Sequence, residues 1–306
     1  MELVLSRSKG PQFSSRGSLD LRDFYLESLE KMESIGYKAK KELEKIIYED
    51  SGIYRFKQYK KAKSIQFLTA YDEIKIFWDQ EIKYRYGFSV EKETVNMPVI
   101  FAKVNGVPGN GGFFDNYRYW KEVKELMTEN AIVYKNSIGI KTGFFEKFRI
   151  AWNGFLNKGK LDIEKFRFSK FFKHYTLPHY LREHILEKLK YIVDNDVLKG
   201  TTSKDVDLDV LAIASKIPRN VIKKLNEFDF TKRNPKVILI TNQERLLSVS
   251  EAIYLVLLYY IGFDVLIFAP NGISNIEYLL NKNIIQVHEL GEYRANSKIP
   301  FFNLIF

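Results

Sequence analysis

The chain has 306 residues, with 48 Lys and Arg against 38 Asp and Glu, a formal net charge of +10. Aromatic residues make up 15% of it, including 19 Tyr and 24 Phe, which excludes a disordered chain and provides for one large or two modest domain cores. It holds no Cys, which excludes a disulfide framework and a thiolate metal site and leads us to expect a cytoplasmic protein.

The basic excess points to a polyanionic partner, whether nucleic acid, anionic lipid or phosphorylated metabolite, or else to a Lys-rich solvated surface. Residues 1–18 contain no long apolar run and so no secretory signal; their Ser, Arg and Gly content predicts a flexible basic tail. Residues 19–92 read as a helical N-terminal region. Leu21, Phe24, Tyr25, Leu29 and Met32 recur at helical spacing before Gly36, and a further helix is expected over 64–79. Between these, Arg55, Lys57, Lys60, Lys61 and Lys63 interleave with Tyr54, Phe56 and Tyr59. That pattern fits one face of a helix packed on a core, or a groove for single-stranded nucleic acid.

Residues 93–143 form a first α/β unit. Met97–Val104 reads as a strand, a glycine-rich loop runs from Asn105 to Gly112, a helix carries Tyr119, Trp120, Val123, Leu126 and Met127, and a short strand covers Ala131–Tyr134. The loop can cradle phosphate at the helix N-terminus, although it matches neither the dinucleotide fingerprint nor the P-loop pattern; a surface loop is the competing reading.

Residues 144–230 read as a helical middle region. Phe144, Phe145, Phe148, Ala151, Trp152 and Phe155 begin it, and helices are expected from Pro178 at a first helical position to about Val193, over 208–217 and over 218–228. Lys165, Arg167, Lys170 and Lys173 make a second basic cluster among aromatics. Asp205, Asp207 and Asp209 alternate ahead of a helix, but Val210 and Lys216 stand where an EF-hand needs Gly and Glu, so the acids read as partners of the helix dipole. His174, His179 and His184 are five residues apart, which does not align them on one helix face, and no metal site is expected. No catalytic residue can be assigned from spacing.

Residues 231–306 form the C-terminal Rossmann-like unit. Lys236–Thr241 and Val265–Ala269 are unbroken β-branched and aromatic runs, the mark of strands buried on both faces. Between them Ser248 and Glu251 make a capping box, and Gly262 sits where a left-handed C-cap belongs. Residues 252–269 approach the length of a membrane span, but Gly262 and Asp264 within them favour a buried helix followed by a buried strand. Pro270, Asn271 and Gly272 turn the chain, Ser274 with Glu277 make a second capping box, and a third strand is expected over 284–287.

Parallel strands place ligands beyond their carboxyl ends, where helix N-termini offer free N–H groups. The candidate ligand-binding set is therefore Asn105, Gly106, Gly109, Gly111 and Gly112 of the first unit with Thr241, Asn242, Asn271, Gly272, Ser274, His288 and Glu289 of the last. These positions would serve a nucleotide-like or phosphorylated metabolite, or would be ordinary polar loops.

Several segments together carry a likeness to a known family: Tyr84–Phe88, Met97–Val107, Tyr119–Val123, Pro235–Ile240, Gly262–Gly272 and Leu290–Tyr293. They resemble the bacterial YceG-like family, described as a component of a biosynthetic module whose genes lie with tellurite-resistance and stress-response clusters. The resemblance runs in patches from about residue 60 to the end. It implies a cytoplasmic protein acting with metabolite-making enzymes in stress or phage-related physiology, and, since members are longer, a chain that corresponds to part of one. None of the shared segments is a defined active site.

The fold expected is α/β: Rossmann-like parallel strand–helix–strand units at about 95–135 and 235–290 around the helical middle. Paired units of this kind are analogous to glycosyltransferases with two facing nucleotide-binding-like domains. Three functional readings follow. The first is a metabolite-binding or transferase-like protein, with no cofactor identified. The second is a basic adaptor for nucleic acid or an anionic membrane. The third is an interaction protein that joins a second copy or another protein through its aromatic tail, Phe301–Phe306.

Overall fold

The computed structural model describes residues 61–91, 94–109, 113–157, 160–172, 177–199, 203–228, 233–241 and 246–294. The expectations placed on 1–48, on Arg55, Lys57, Lys60, Gly111, Gly112, Lys173, His174 and Asn242, and on the tail 301–306 lie outside the described residues. In chain order the elements are Lys61–Gln66 (β1), Tyr71–Asp79 (α1), Ser89–Glu91 (β2), Thr94–Val99 (β3), Phe101–Asn105 (β4), Phe113–Leu126 (α2) and Ala131–Lys135 (β5). The middle region holds Phe144–Trp152 (α3), Leu156–Asn157 (β6), Lys160–Leu161 (β7), Ile163–Arg167 (α4), His179–Asp194 (α5), Ser203–Ala214 (α6) and Arg219–Glu227 (α7). Lys236–Ile240 (β8), Val249–Ile261 (α8), Asp264–Ala269 (β9) and Gln286–Glu289 (β10) complete it.

The fold is α/β, built on a five-stranded parallel sheet in the order β10-β4-β9-β8-β5. Strands of the first and last α/β segments interleave in this one sheet instead of forming two facing ones. Every residue of β4, β8 and β9 is buried, which is why these strands read as uninterrupted apolar runs. Side chains still alternate between faces. Phe101, Val237, Leu239, Val265 and Ile267 pack with α5, α6 and α8; Ala102, Val104, Ile238, Ile240, Leu266 and Phe268 pack with α1 and α2.

Helix α8 is buried all round, as its composition demands. Its capping box forms, with Ser248 Oγ accepting from the Glu251 N–H at 3.2 Å and Glu251 Oε2 accepting from the Ser248 N–H at 3.0 Å. Gly262 closes it at a φ of +110°. The span-length stretch is thus a core helix and a core strand, and among the described residues no helix is long and apolar enough to cross a membrane.

Tertiary demands change four local expectations, one of them the helix expected over 208–217, which begins at Ser203 and so takes Asp205, Asp207 and Asp209 into its own turns, only Asp205 in the first. Residues 61–66 are a strand paired parallel with β3, and the helix begins only at Tyr71. Lys61 and Lys63 are exposed while Ala62 and Ser64 are buried, a period of two that a helix cannot satisfy. The run 94–105 breaks at Ile100, so that β3 joins a three-stranded sheet and β4 the parallel sheet. The second capping box does not form: 276–279 is a 3-10 turn and Glu277 Oε1 instead accepts from Lys103 Nζ at 2.7 Å. Lys103 sits buried on β4, and its charge claims the carboxylate that the local cap would have used.

At the amino edge of the sheet, Arg85 and Asp264 form a fully buried bidentate pair, with N···O distances of 2.8 and 2.7 Å. Asp264 also accepts from the Ile100 N–H, while Arg85 donates to the carbonyls of Pro98 and Phe77. Asp264→Ala is expected to cost about 3–5 kcal/mol in urea denaturation, because it strands a buried guanidinium. Arg85→Met/Asp264→Leu should recover part of that loss.

Two buried groups give opposing pH slopes. His184 on α5 contacts the Ile261 carbonyl through Nε2 at 3.1 Å, and burial, helped by Lys188, lowers its pKa to about 3. The unfolded chain binds a proton there below about pH 6.5 that the folded chain refuses, so stability falls on acidification toward pH 3. Asp207 on α6 is pushed up to about 7 by burial and by Asp196 and Asp194. There the folded chain keeps a proton that the unfolded chain loses above about pH 4, so stability falls as pH rises to 7. His184→Gln should therefore remove an acid-side loss of about 1.4 kcal/mol per pH unit between about pH 4.5 and 6.5. Asp207→Asn should raise stability above pH 7 and leave it unchanged near pH 4. Urea midpoints across this range check both.

Candidate functional site

The connection leaving β4 runs through α2 on one face of the sheet, whereas Ile276 and Leu280, which follow β9, pack into the core on the other face. Since β4 and β9 are neighbours in register, with Asn105 opposite Ala269, their loops diverge at the carboxyl edge and make a topological switch point.

Asn105 ends β4 buried, and its Nδ2 donates to Glu289 Oε1 at 2.7 Å. Gly106, at a φ of +76°, donates its N–H to the Ala269 carbonyl at 3.0 Å. Asn271 Oδ1 accepts from the Ile273 N–H at 3.0 Å, which shapes the turn after β9. Across these ends runs the segment 290–294. Leu290 N donates to the Asn105 carbonyl at 2.8 Å, Val107 N to the Glu292 carbonyl at 2.8 Å, and Arg294 N to the Pro270 carbonyl at 2.7 Å. Tyr293 lies with its ring over Gly272 and donates its hydroxyl to Glu289 Oε2 at 2.8 Å. The Glu289 carboxylate is therefore held at both oxygens, and that contact raises the Tyr293 pKa.

The crevice offers acceptors. Asn105 Oδ1 and Ser274 Oγ are buried with no hydrogen-bond partner among the described residues, as is His288 Nε2 on the other face of β10. Lys103 and Asn105 lie on the same side of β4, and the Ser274 carbonyl accepts from Lys103 Nζ at 3.0 Å, so Ser274 lies on that side of the sheet. His288, one residue from Glu289 on β10, faces the opposite side, near the Tyr71 ring, and burial lowers its pKa. Thr241 spends both its N–H and its hydroxyl on the Phe268 carbonyl, at 2.8 and 3.3 Å, and so holds β8 to β9.

The helix N-termini on this edge are already supplied with carboxylates. Gly109 sits so close to Asp115, in the first turn of α2, that an added Cβ would lie 2.6 Å from its carboxylate. Glu251, in the first turn of α8, accepts from the Ser137 hydroxyl at 2.8 Å and the Ile138 N–H at 3.0 Å as well as from Ser248; these bonds lower its pKa against the effect of burial. The glycine-rich loop is thus faced by an acid where a phosphate would have to enter.

Of the candidate positions, the fold gathers Asn105, Gly106, Asn271, Gly272, Ser274 and Glu289 along the carboxyl edge of β4 and β9 and turns Thr241 and His288 to other contacts. Tyr293 and Glu292 were missed by strand-end reasoning; Gly291, two residues after the last strand, was the available sign that the chain folds back. In the basic clusters, Lys61 and Lys63 line the exposed side of β1, Lys165 and Lys170 are exposed around α4, and Arg167 is held by Glu164 and Glu183.

The sequence profile of the YceG domain matches residues 68–302, which takes in the whole parallel sheet. The chain belongs to the YceG family. A curated relative, "Uncharacterized protein YceG" of Bacillus subtilis (strain 168), is 24% identical over 281 residues, covering 89% of this chain and 51% of the relative. The chain thus spans about half the length of that YceG protein. No solved structure matches it.

Gly272 has a φ of +69°, and a Cβ there would meet the Tyr293 ring at 2.7 Å. Gly272→Ala is expected to cost about 1–2 kcal/mol from the left-handed backbone alone, plus the clash. Adding Tyr293→Ala should relieve the clash and leave the backbone cost, which thermal denaturation of the single and double variants resolves.

Proposed function

We propose that this YceG-family chain binds a nucleotide-like metabolite at the carboxyl edge between β4 and β9. The observation that carries the reading is a topological switch point at which Asn105 Oδ1 and Ser274 Oγ are buried with no hydrogen-bond partner among the described residues. Asn105 Oδ1 and the Glu289 carboxylate are acceptors, so they suit ligand groups that donate, such as ribose hydroxyls or a base amino group. The acids at the N-termini of α2 and α8 disfavour a bare phosphate, which selects the nucleoside part of the ligand as the recognised one. A transferase-like role is the extension of this reading. Its setting would be the metabolite-making enzymes of tellurite-resistance and stress-response clusters.

A thermal-shift screen with nucleotides, nucleotide sugars, phosphosugars and orthophosphate tests the reading. A nucleotide at 100 times its dissociation constant should stabilise the chain by about 2.7 kcal/mol, with little dependence on salt. Asn105→Leu and Ser274→Ala should each abolish that shift while the free protein keeps its melting transition. An unchanged shift in both variants removes the site assignment, and equal shifts with orthophosphate remove the nucleoside preference.

A further inference from the structure

Helix α3 carries its apolar stripe on the outside. At about 100° per residue, Phe144, Phe145, Phe148 and Trp152 fall within an arc of about 100°. All four are between 55% and 81% exposed, while Ile150, on the opposite side, is the residue that anchors the helix to the core. The rings pack on each other along the stripe, Phe144 with Phe145 at 5.9 Å and Phe148 with Trp152 at 6.1 Å. The result is a convex ridge between two clefts, of about 490 Å³ against α6 and about 520 Å³ beside Arg149 and Lys170. Contiguous exposed aromatic surface of this kind marks an interaction site.

The charge around the ridge says what covers it. Residues 141–170 contain eight Lys and Arg and three Asp and Glu, an excess of five within a chain of net charge +10. Lys141, Arg149, Lys160, Lys165 and Lys170 are exposed, and none forms an ion pair among the described residues. Of the acids that flank the helix, Glu146 pairs with Lys216 and Asp209 with Lys147, while Asp205 lines the cleft against α6. The occupant is therefore anionic and accepts an aromatic ridge.

We propose that α3 docks this protein on an anionic lipid bilayer, with Phe144, Phe145, Phe148 and Trp152 entering the headgroup boundary and Arg149, Lys165 and Lys170 meeting lipid phosphates. A bilayer receives a convex ridge without a matching groove, and Trp and Phe with flanking Lys and Arg are the side chains that hold a helix in that plane. Single-stranded nucleic acid fits less well: successive bases stack along a groove, and this aromatic surface is a convex ridge.

The protein contains its own probe. Trp152 is 81% exposed, while the other two tryptophans, Trp78 and Trp120, are buried. Titration of the full chain with vesicles of phosphatidylcholine containing phosphatidylglycerol should shift Trp152 emission to the blue and shield it from iodide, and vesicles of phosphatidylcholine alone should do so far more weakly. In cosedimentation, Phe148→Ser/Trp152→Ser and Arg149→Glu/Lys170→Glu should each weaken binding at least about tenfold with unchanged melting temperatures, since all four residues are exposed. Any of three results overturns the proposal: no binding to anionic vesicles at low salt, binding that both double variants retain, or quenching of Trp152 by oligo-dT without a vesicle response. Burial of Trp152 on raising the protein concentration without lipid would likewise overturn it and make a second copy the occupant.

Discussion

The buried Arg85–Asp264 pair is the constraint on which the arrangement of the sheet depends. Neither charge can remain inside the protein without the other, and further hydrogen bonds of the pair reach the Phe77 and Pro98 carbonyls and the Ile100 N–H. One cluster thereby joins the end of α1, the junction between β3 and β4, and the first residue of β9. The break at Ile100, which sends one continuous apolar run into two sheets, lies directly on this cluster. Because β4 and β9 run parallel in register from Phe101 opposite Val265 to Asn105 opposite Ala269, fixing where they start also fixes how their carboxyl ends line up. The crevice at Asn105 and Gly272 is set from the far edge of the sheet.

At that crevice, glycine allows backbones to approach and acceptors define the chemistry. Gly106 and Gly272 bring the ends of β4 and β9 against the returning segment 290–294, and Gly291 lets that segment lie on the carbonyls of Val107 and Gly109. Asn105 and Tyr293 grip the two oxygens of Glu289. Asp115 and Glu251 meanwhile occupy the first turns of the two helices that would otherwise attract an anion. The edge therefore differs from a phosphate-binding glycine loop even though it lies at a topological switch point.

Much of the core was legible because its signals are local. The both-face burial of β8 and β9, the Ser248–Glu251 box and the Gly262 C-cap each depend on a few adjacent residues and on short-range sterics, and each forms. The strand at 61–66 was hidden because alternation over so few residues, Lys61 to Ile65, is easily masked by the helical pattern that follows it. The Ser274–Glu277 box was a sound local motif that lost its carboxylate to Lys103, more than 170 positions away in sequence. The candidate site was legible in part: strand ends can be found from sequence, but which of them are neighbours cannot.

Sequence alone determined the α/β class, the family kinship carried by its short motifs, and the aromatic and basic composition of 141–170. These follow from periodicity, composition and adjacent residues. Only the tertiary structure decided the strand order that puts β4 beside β9, the partner of each buried charge, the fold-back of Tyr293 over Gly272, and the side of α3 that faces solvent. Each of these is a contact between residues far apart in the chain, settled by which arrangement buries the most apolar surface while leaving the fewest charges unpaired.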